Sequence, residues 1–257
     1  MWGRRRVLTL LVTRDLKVKY AGSALGYFWS ILEPMMLAGI YWFVFTILMP
    51  RRLGEAPYIV FLLSAMLPWQ FANTAIRSTM RALSKDAKLV RSTNLPREIW
   101  VLRTIGTHLV EFLLSVPVIV FFAILTGAHL TRDVVFFPLA VLIETVLLLG
   151  CGLILAPVAV LYSDVVRLVP MVLRLLFYFS PILYGVHDIR HRLGSTVAQF
   201  YSLNPLAGII GLYRMAFFTD QYEGWHGIAW AAGFAVVTLI VGLRVFSRLE
   251  GLVLKEI

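Results

Sequence analysis

Charged residues are scarce in this sequence, and cysteine occurs only once. Of the 257 residues, 15% are charged and 60% are hydrophobic, whereas a soluble globular domain has about 25% charged residues. This composition excludes an ordinary soluble domain and indicates an integral membrane protein, with one membrane domain over residues 1–257. The single Cys151 cannot form an intrachain disulfide, and because it lies in an apolar run we expect it to be buried.

The sequence also lacks the short motifs that identify many nucleotide-binding proteins and enzymes. It has no Gly-Lys dipeptide and therefore no P-loop, and it has no Cys-x-x-Cys pair. His187 and His191 are four residues apart, which is weak support for a metal site. Asp86 and Asp164 are isolated carboxylates, which argues against a catalytic pair. We therefore expect no enzyme activity, no metal and no other cofactor in this chain.

Long apolar runs are what the sequence has in abundance. Six of them approach the roughly 20 residues that a helix needs to cross a bilayer. They lie at about 28–49, 58–78, 101–125, 134–161, 168–184 and 225–245. We predict an all-α membrane protein with six transmembrane helices.

Two further segments are too polar or too interrupted to cross a bilayer. In residues 4–22, Leu8, Val12 and Leu16 share one helical ridge and basic residues fall largely opposite, which predicts an amphipathic helix in the membrane interface. Residues 187–218 begin polar and continue as short apolar pieces broken by proline and glycine. This pattern predicts re-entrant or interfacial helices between the fifth and sixth spans.

Basic residues indicate the orientation of these spans. Residues 77–103 hold seven Lys and Arg against Asp86 and Glu98, and basic loops between spans face the cytoplasm. With both termini inside, the inner side would carry six basic residues near the N-terminus, these seven, two after the fourth span and three near the C-terminus, which is 18 of the 24 in the chain. We therefore predict that both termini are cytoplasmic.

Three carboxylates fall within the predicted spans, at Glu33, Glu111 and Glu144. A charge at the centre of a bilayer costs about 2.5–3.5 kcal/mol on insertion scales, so these side chains should face the protein interior or a cavity. Glu111 is one helical turn from His108, and both a proton relay and a structural hydrogen bond between helices remain open for this pair.

Aromatic residues of the first and fifth spans are candidates for lining a path through the membrane. Rings can stack on the apolar faces of sugars and tyrosine hydroxyls can form hydrogen bonds, which suits a glycan conduit. The candidates are Phe28, Tyr41, Phe45, Phe177, Tyr178 and Tyr184. The alternative is that these rings pack against lipid or form an interfacial belt.

Five stretches match a known family in the order in which they occur. They are RDLKVKYAGSALGYFWSILEP (14–34), YIVFLLSAMLPW (58–69), KLVRSTNLPREIW (88–100), SPILY (180–184), and LNP with a following YR (203–214). Through them the chain resembles the membrane subunit of ABC-type polysaccharide exporters, the group of O-antigen, teichoic-acid and galactan permeases. One departure is Ser163, where the family pattern has an arginine before the aspartate.

The resemblance implies a homodimer of six-helix subunits in the bacterial inner membrane, with two separate ATPase subunits that bind ATP and Mg. It implies export of a glycan carried on a polyprenyl pyrophosphate lipid to the cell envelope. We expect no nucleic-acid partner despite the net charge of +10, because the basic residues lie at the ends of spans, where anionic lipid head groups attract them. A related exporter of drugs or other lipids is the first alternative. A membrane-embedded enzyme of glycan assembly is the second.

The resemblance also implies where the partner and the substrate act. Residues 84–95, with a short helix over about Ser84–Val90, and the N-terminal helix would contact the ATPase. The residues expected there are Leu83, Ser84, Lys85, Lys88, Leu89, Arg91, Arg14 and Lys17. The alternative for the charges is attachment of the loop to anionic lipid. The outer gate would lie in residues 187–218 and include Asn204, Pro205, Tyr213 and Arg214.

Overall fold

Helices account for all the regular structure that a computed structural model of the chain describes. The described residues are 2–48, 57–93, 95–128, 130–185, 189, 194, 201, 203–218 and 225–256, without the side chains of residues 2–5, 45–47 and 225. No strand occurs in these ranges, so the predicted all-α class is confirmed for them.

Ten α-helices, several of them extended by short irregular turns, form the described bundle. They are α1 (Trp2–Tyr20), α2 (Trp29–Trp42), α3 (Tyr58–Thr79), α4 (Ala82–Lys85), α5 (Ala87–Ser92), α6 (Glu98–Thr126), α7 (Phe137–Leu161), α8 (Asp164–Phe179), α9 (Pro205–Met215) and α10 (Trp225–Glu256). A 3₁₀ turn at Gly26–Phe28 precedes α2, a π-helical stretch at Phe43–Leu48 follows it, and a 3₁₀ turn at Arg132–Phe136 leads into α7.

Within the described residues, four helices are long and apolar enough to cross a membrane. They are Tyr58–Thr79, Glu98–Thr126, Arg132–Leu161 and His226–Glu256, and they overlap the predicted second, third, fourth and sixth spans. The other two predicted spans fall on shorter helices. The 16 residues of α8 would rise only about 24 Å, less than the roughly 30 Å of a hydrocarbon core. The number six therefore stays a prediction.

Small residues let α7 and α10 pack backbone to backbone. A Cβ added to Gly242 would lie 2.5 Å from the carbonyl oxygen of Gly150, and one added to Gly150 would lie 2.6 Å from the amide nitrogen of Leu239. In a bilayer the hydrophobic effect does not drive helices together, so they associate through close van der Waals packing at small residues. α9 docks on α10 in the same way, because a Cβ on Gly208 would lie 2.6 Å from the Gly227 carbonyl oxygen.

α1 packs against α6. Leu16 is buried, and Gly106 of α6 is in close contact with Val12, since a Cβ on that glycine would lie 3.3 Å from the Val12 side chain. Leu8 also packs against the core of the bundle. The apolar ridge predicted for this helix therefore faces protein.

The predicted helix over Ser84–Val90 is wrong as a single element. The chain forms α4 and α5 instead, separated at Asp86, whose backbone angles (φ −112°, ψ 29°) are not helical. The prediction of re-entrant or interfacial helices stays a prediction, because 13 of the 32 residues in 187–218 lie outside the described part of the structure. What is described there is mainly α9, whose first turn is capped by Asn204: its Oδ1 accepts a hydrogen bond from the Leu206 amide at 3.0 Å.

Candidate functional site

The basic loop predicted at residues 77–103 lies at one end of the bundle. We call this the basic end; it is formed by α1, α4, α5 and the start of α6. Leu83 of α4 and Val90 of α5 are 0% and 1% exposed and pack into the core. This overturns the expectation that Leu83 offers an apolar contact to a partner. The large apolar side chain that this segment exposes is Leu89, at 37%.

The polar residues expected to contact a partner do face outward. On α4 and α5 they are Ser84, Lys85, Lys88 and Arg91, and on α1 they are Arg14 and Lys17. The two short helices therefore present a basic surface with one apolar side chain, Leu89, while their opposite sides are held in the core. An apolar contact within a charged rim is the ordinary composition of a protein interface.

Arg103 of α6 links α1 to the α4–α5 segment. Its Nε donates to Oδ2 of Asp15 at 2.5 Å, and its Nη2 lies 2.7 Å from Oδ2 of Asp86. The arginine is only 5% exposed, and its guanidinium carbon lies 5.1 Å from the centre of the Trp100 ring. The sequence placed Arg103 among the loop charges and gave no sign of this double ion pair.

A second, more exposed ion pair lies at the same end. Nη1 of Arg97, just before α6, is 2.9 Å from Oε1 of Glu250 near the end of α10. Their side chains are 31% and 28% exposed, so solvent screens this pair more than it screens Arg103.

Glu111 is held by two neighbours. Oε1 accepts a hydrogen bond from Lys19 Nζ at 2.6 Å, and Oε2 lies 3.0 Å from His108 Nδ1. These contacts join α1 to α6 and favour the structural alternative for this carboxylate over a proton relay. The same three residues and Glu33 border a cavity of about 180 Å³ between α2, α3 and α6.

Glu144 is paired inside the bundle. The Tyr213 hydroxyl donates to its Oε2 at 2.6 Å, and both side chains are buried. This contact connects α9 to α7. Tyr213, expected in an outer gate, is therefore in this structure a packed side chain that also supplies the hydrogen bond of a buried carboxylate.

Arg214 ties the chain after α8 to α9. Its guanidinium carbon lies 3.6 Å from the centre of the Phe61 ring, and Nη2 donates to the Ile182 carbonyl oxygen at 2.9 Å. Nη1 donates to the carbonyl oxygen of Tyr184 at 3.4 Å. The Asn204 side chain adds a hydrogen bond from Nδ2 to Ser180 Oγ at 2.9 Å. Three of the four residues expected at the gate thus hold α9 and its neighbours together, and Pro205 opens α9.

Four of the six aromatic candidates divide into two groups. Phe28 and Tyr178 are exposed at 48% and 62%. Phe177 instead packs on the ring of Trp69, with centroids 5.7 Å apart, and the Tyr184 hydroxyl donates to the Tyr178 carbonyl oxygen at 2.5 Å. Tyr41 is half-buried. The side chain of Phe45 is outside the described part of the structure.

One side of α8 carries large exposed apolar residues. They are Leu168, Met171, Val172, Leu175, Tyr178 and Phe179. α2 likewise exposes Trp29, Met36 and Ile40.

Metal ligands do not cluster in the part of the chain that the structure describes: no group of three or more His, Cys, Asp or Glu residues there could hold an ion. His187 and His191 lie outside the described residues.

Comparison with known proteins gives a consistent result over nearly the whole chain. Residues 6–218 match the family described as ABC-2 type transporter. The O-antigen export system permease protein RfbA of Klebsiella pneumoniae is 30% identical over 95% of this chain and 92% of its own length. RfbA of Myxococcus xanthus is 29% identical over 96% and 94%. The polysialic acid transport protein KpsM of Escherichia coli is 26% identical over 93% and 92%.

Proposed function

We propose that this chain, which belongs to the ABC-2 type transporter family, is the transmembrane subunit of an ATP-driven polysaccharide exporter. The main support is similarity over nearly the whole chain to permeases named for O-antigen and polysialic acid transport. The sequence has no P-loop, so ATP and Mg bind to a separate ATPase subunit. The chain itself is a transporter subunit and not an enzyme.

The substrate is a polysaccharide carried on a polyprenyl pyrophosphate lipid, which crosses from the cytoplasmic to the outer side of the bacterial inner membrane. The excess of Lys and Arg in residues 77–103 supports a cytoplasmic basic end and cytoplasmic termini. α2 and α8 complete six spans in this arrangement. Because α8 is short, we expect the bilayer to thin locally around it or a neighbouring protein surface to cover it.

Two copies of the chain face each other through α2 and α8. The support is the row of exposed apolar residues along α8, with Leu175 at 52% and Phe179 at 62%, beside the exposed side of α2. Phe28 and Tyr178 line the path for the glycan between the copies, together with Tyr41 and Phe45. Phe177 and Tyr184 act behind this lining by fixing the position of their neighbours.

The ATPase docks on the outward surface of α4, α5 and α1. Leu89 is the apolar contact, and the basic residues around it form the rim: Lys85, Lys88, Arg91, Arg14 and Lys17. Ser84 lies at the same surface. α9 and residues 180–184 form a tied unit at the outer side, and Glu111 and Glu144 hold helices together.

Deletion of the chain tests the proposal in the organism that makes it. The surface should lose one polysaccharide while its lipid-linked precursor accumulates inside, and the chain should restore export only together with its ATPase. An unchanged surface polysaccharide combined with increased sensitivity to a drug would overturn the proposal in favour of a drug exporter.

A further inference from the structure

The two elements that the proposed function assigns to ATPase contact are joined by a single side chain. We propose that Arg103 is a positioning residue that fastens α1 and the α4–α5 segment to α6, so that both ATPase-facing elements move together with a membrane-spanning helix. The inference rests on the proposed function, because it assumes that force from the ATPase enters through these elements.

The two contacts suit an arginine better than a lysine. A guanidinium is planar and presents its donors in fixed directions, whereas a lysine offers one point charge. Arg103 donates a hydrogen bond from Nε to Asp15 at 2.5 Å, and its Nη2 lies 2.7 Å from Asp86 Oδ2 in a close ion pair that does not have hydrogen-bond geometry. The two carboxylates come from residues far apart in the chain, so the guanidinium is their common connection. A lysine at this position could reach one of them well but not both.

Because of where Asp86 lies, its contact with Arg103 affects the orientation of α5. Asp86 is the residue at which α4 ends and α5 begins. On either side of it, Leu83 and Val90 are fixed in the core. The ion pair with Arg103 therefore fixes the position of the residue at which the helix is interrupted. It thereby fixes the direction in which α5 presents Leu89.

Asp15 plays the matching part on α1. It lies between Arg14 and Lys17, which are both exposed, while its own side chain is 22% exposed against Arg103 at 6%. The same helix is also held to α6 by the contact of Val12 with Gly106. A displacement of α1 by the ATPase would therefore be transmitted to α6 through Arg103, the residue that also contacts Asp86.

The burial of Arg103 separates this role from that of a surface ion pair. Removing one partner of an enclosed pair leaves a charge without compensation, whereas exposed pairs contribute little. Arg97 with Glu250 is the matched control, since it is an arginine–carboxylate pair at the same end with larger exposure. If ion pairs at this end served only general stability, the two arginines would respond alike.

The test uses the complete transporter, the chain with its ATPase, in lipid nanodiscs and vesicles. Spin labels are placed on Thr13 and Ser92, both exposed, as Thr13→Cys and Ser92→Cys in a Cys151→Ser background. We expect a narrow distribution of label distances, with the same width with and without ATP. Arg103→Lys should broaden the distribution, and Arg97→Lys should leave it narrow.

Export per ATP hydrolysed is the second readout. Arg103→Lys should lower it by roughly 2- to 30-fold, the range for residues within a contiguous coupling network, while the ATPase still binds and hydrolyses ATP. An unchanged distance distribution and unchanged export per ATP in Arg103→Lys would overturn the inference. Failure of the unmodified transporter to export any polysaccharide would instead overturn the proposed function.

A variant series covers the case in which Arg103→Lys does not insert. Asp15→Asn and Asp86→Asn each remove one partner, and the double variant removes both. If one guanidinium links them, their effects on export per ATP should be non-additive, since residues of one network couple in such cycles. Additive effects would contradict the inference.

Discussion

The hydroxyl group of Tyr213 donates a hydrogen bond to Oε2 of Glu144 at 2.6 Å, and both side chains are buried in the bundle. Tyr213→Phe removes the donor and leaves the buried carboxyl group without that partner, which should cost about 1–3 kcal/mol of stability. Thermal unfolding of the detergent-solubilised protein measures the loss. Glu144→Gln keeps an acceptor for the tyrosine and should be milder. A normal unfolding temperature with abolished export in Glu144→Gln would show that the carboxylate has a transport role.

The α7–α10 contact predicts a sharp difference between glycines on one helix. Gly242→Ala places a Cβ 2.5 Å from the Gly150 carbonyl oxygen, whereas a Cβ on Gly233 meets nothing within 4 Å. Overpacking of this kind costs about 1–3 kcal/mol. Gly242→Ala should therefore lower the unfolding temperature, and Gly233→Ala should not. Equal effects of the two variants would contradict the close approach of the helices.

Arg214 should not tolerate replacement by lysine. A single ammonium cannot donate in the directions of both the Ile182 and Tyr184 carbonyl oxygens while keeping the guanidinium stack on Phe61. Arg214→Lys should reduce protection of residues 180–185 from amide hydrogen exchange and lower export. Arg132→Lys, at an exposed position, is the control. Unchanged exchange in Arg214→Lys would mean that other contacts hold this segment.

Leu89 is the sharpest test of the proposed ATPase contact. Leu89→Asp places a charge in the apolar part of the docking surface and should abolish export, with the protein still inserted and dimeric. Leu252→Asp also introduces a charge at an exposed leucine near the basic end and should keep export. Co-purification of the ATPase with each variant locates the defect. Normal export by Leu89→Asp would contradict the contact.

The length of the apolar runs predicted the helices α3, α6, α7 and α10 well. A helix that crosses a bilayer needs about 20 apolar residues, whichever other helices it packs against. It could not predict the break at Asp86. Residues 82–92 contain no proline or glycine, and the break coincides with an ion pair to Arg103 that depends on tertiary structure.

Site residues were harder to place, for a related reason. Leu89 and the basic residues around it are exposed, and their contact with a partner stays a prediction; the exposure of the basic residues follows from their charge. Leu83 was misplaced, because a leucine looks the same in sequence whether it faces a partner or the core. The pairing of Arg103 with Asp15 joins residues 88 positions apart, and no local pattern carries that information.

Inside-out membrane vesicles test ATP-driven polysaccharide export by this chain most directly. Vesicles that contain the chain and its ATPase are supplied with ATP and lipid-linked polysaccharide on the outside, which corresponds to the cytoplasmic face. We expect polysaccharide to become protected from an added glycosidase as ATP is hydrolysed, and vesicles without the chain to give no protection. Polysaccharide that stays fully accessible during ATP hydrolysis would contradict export by this chain.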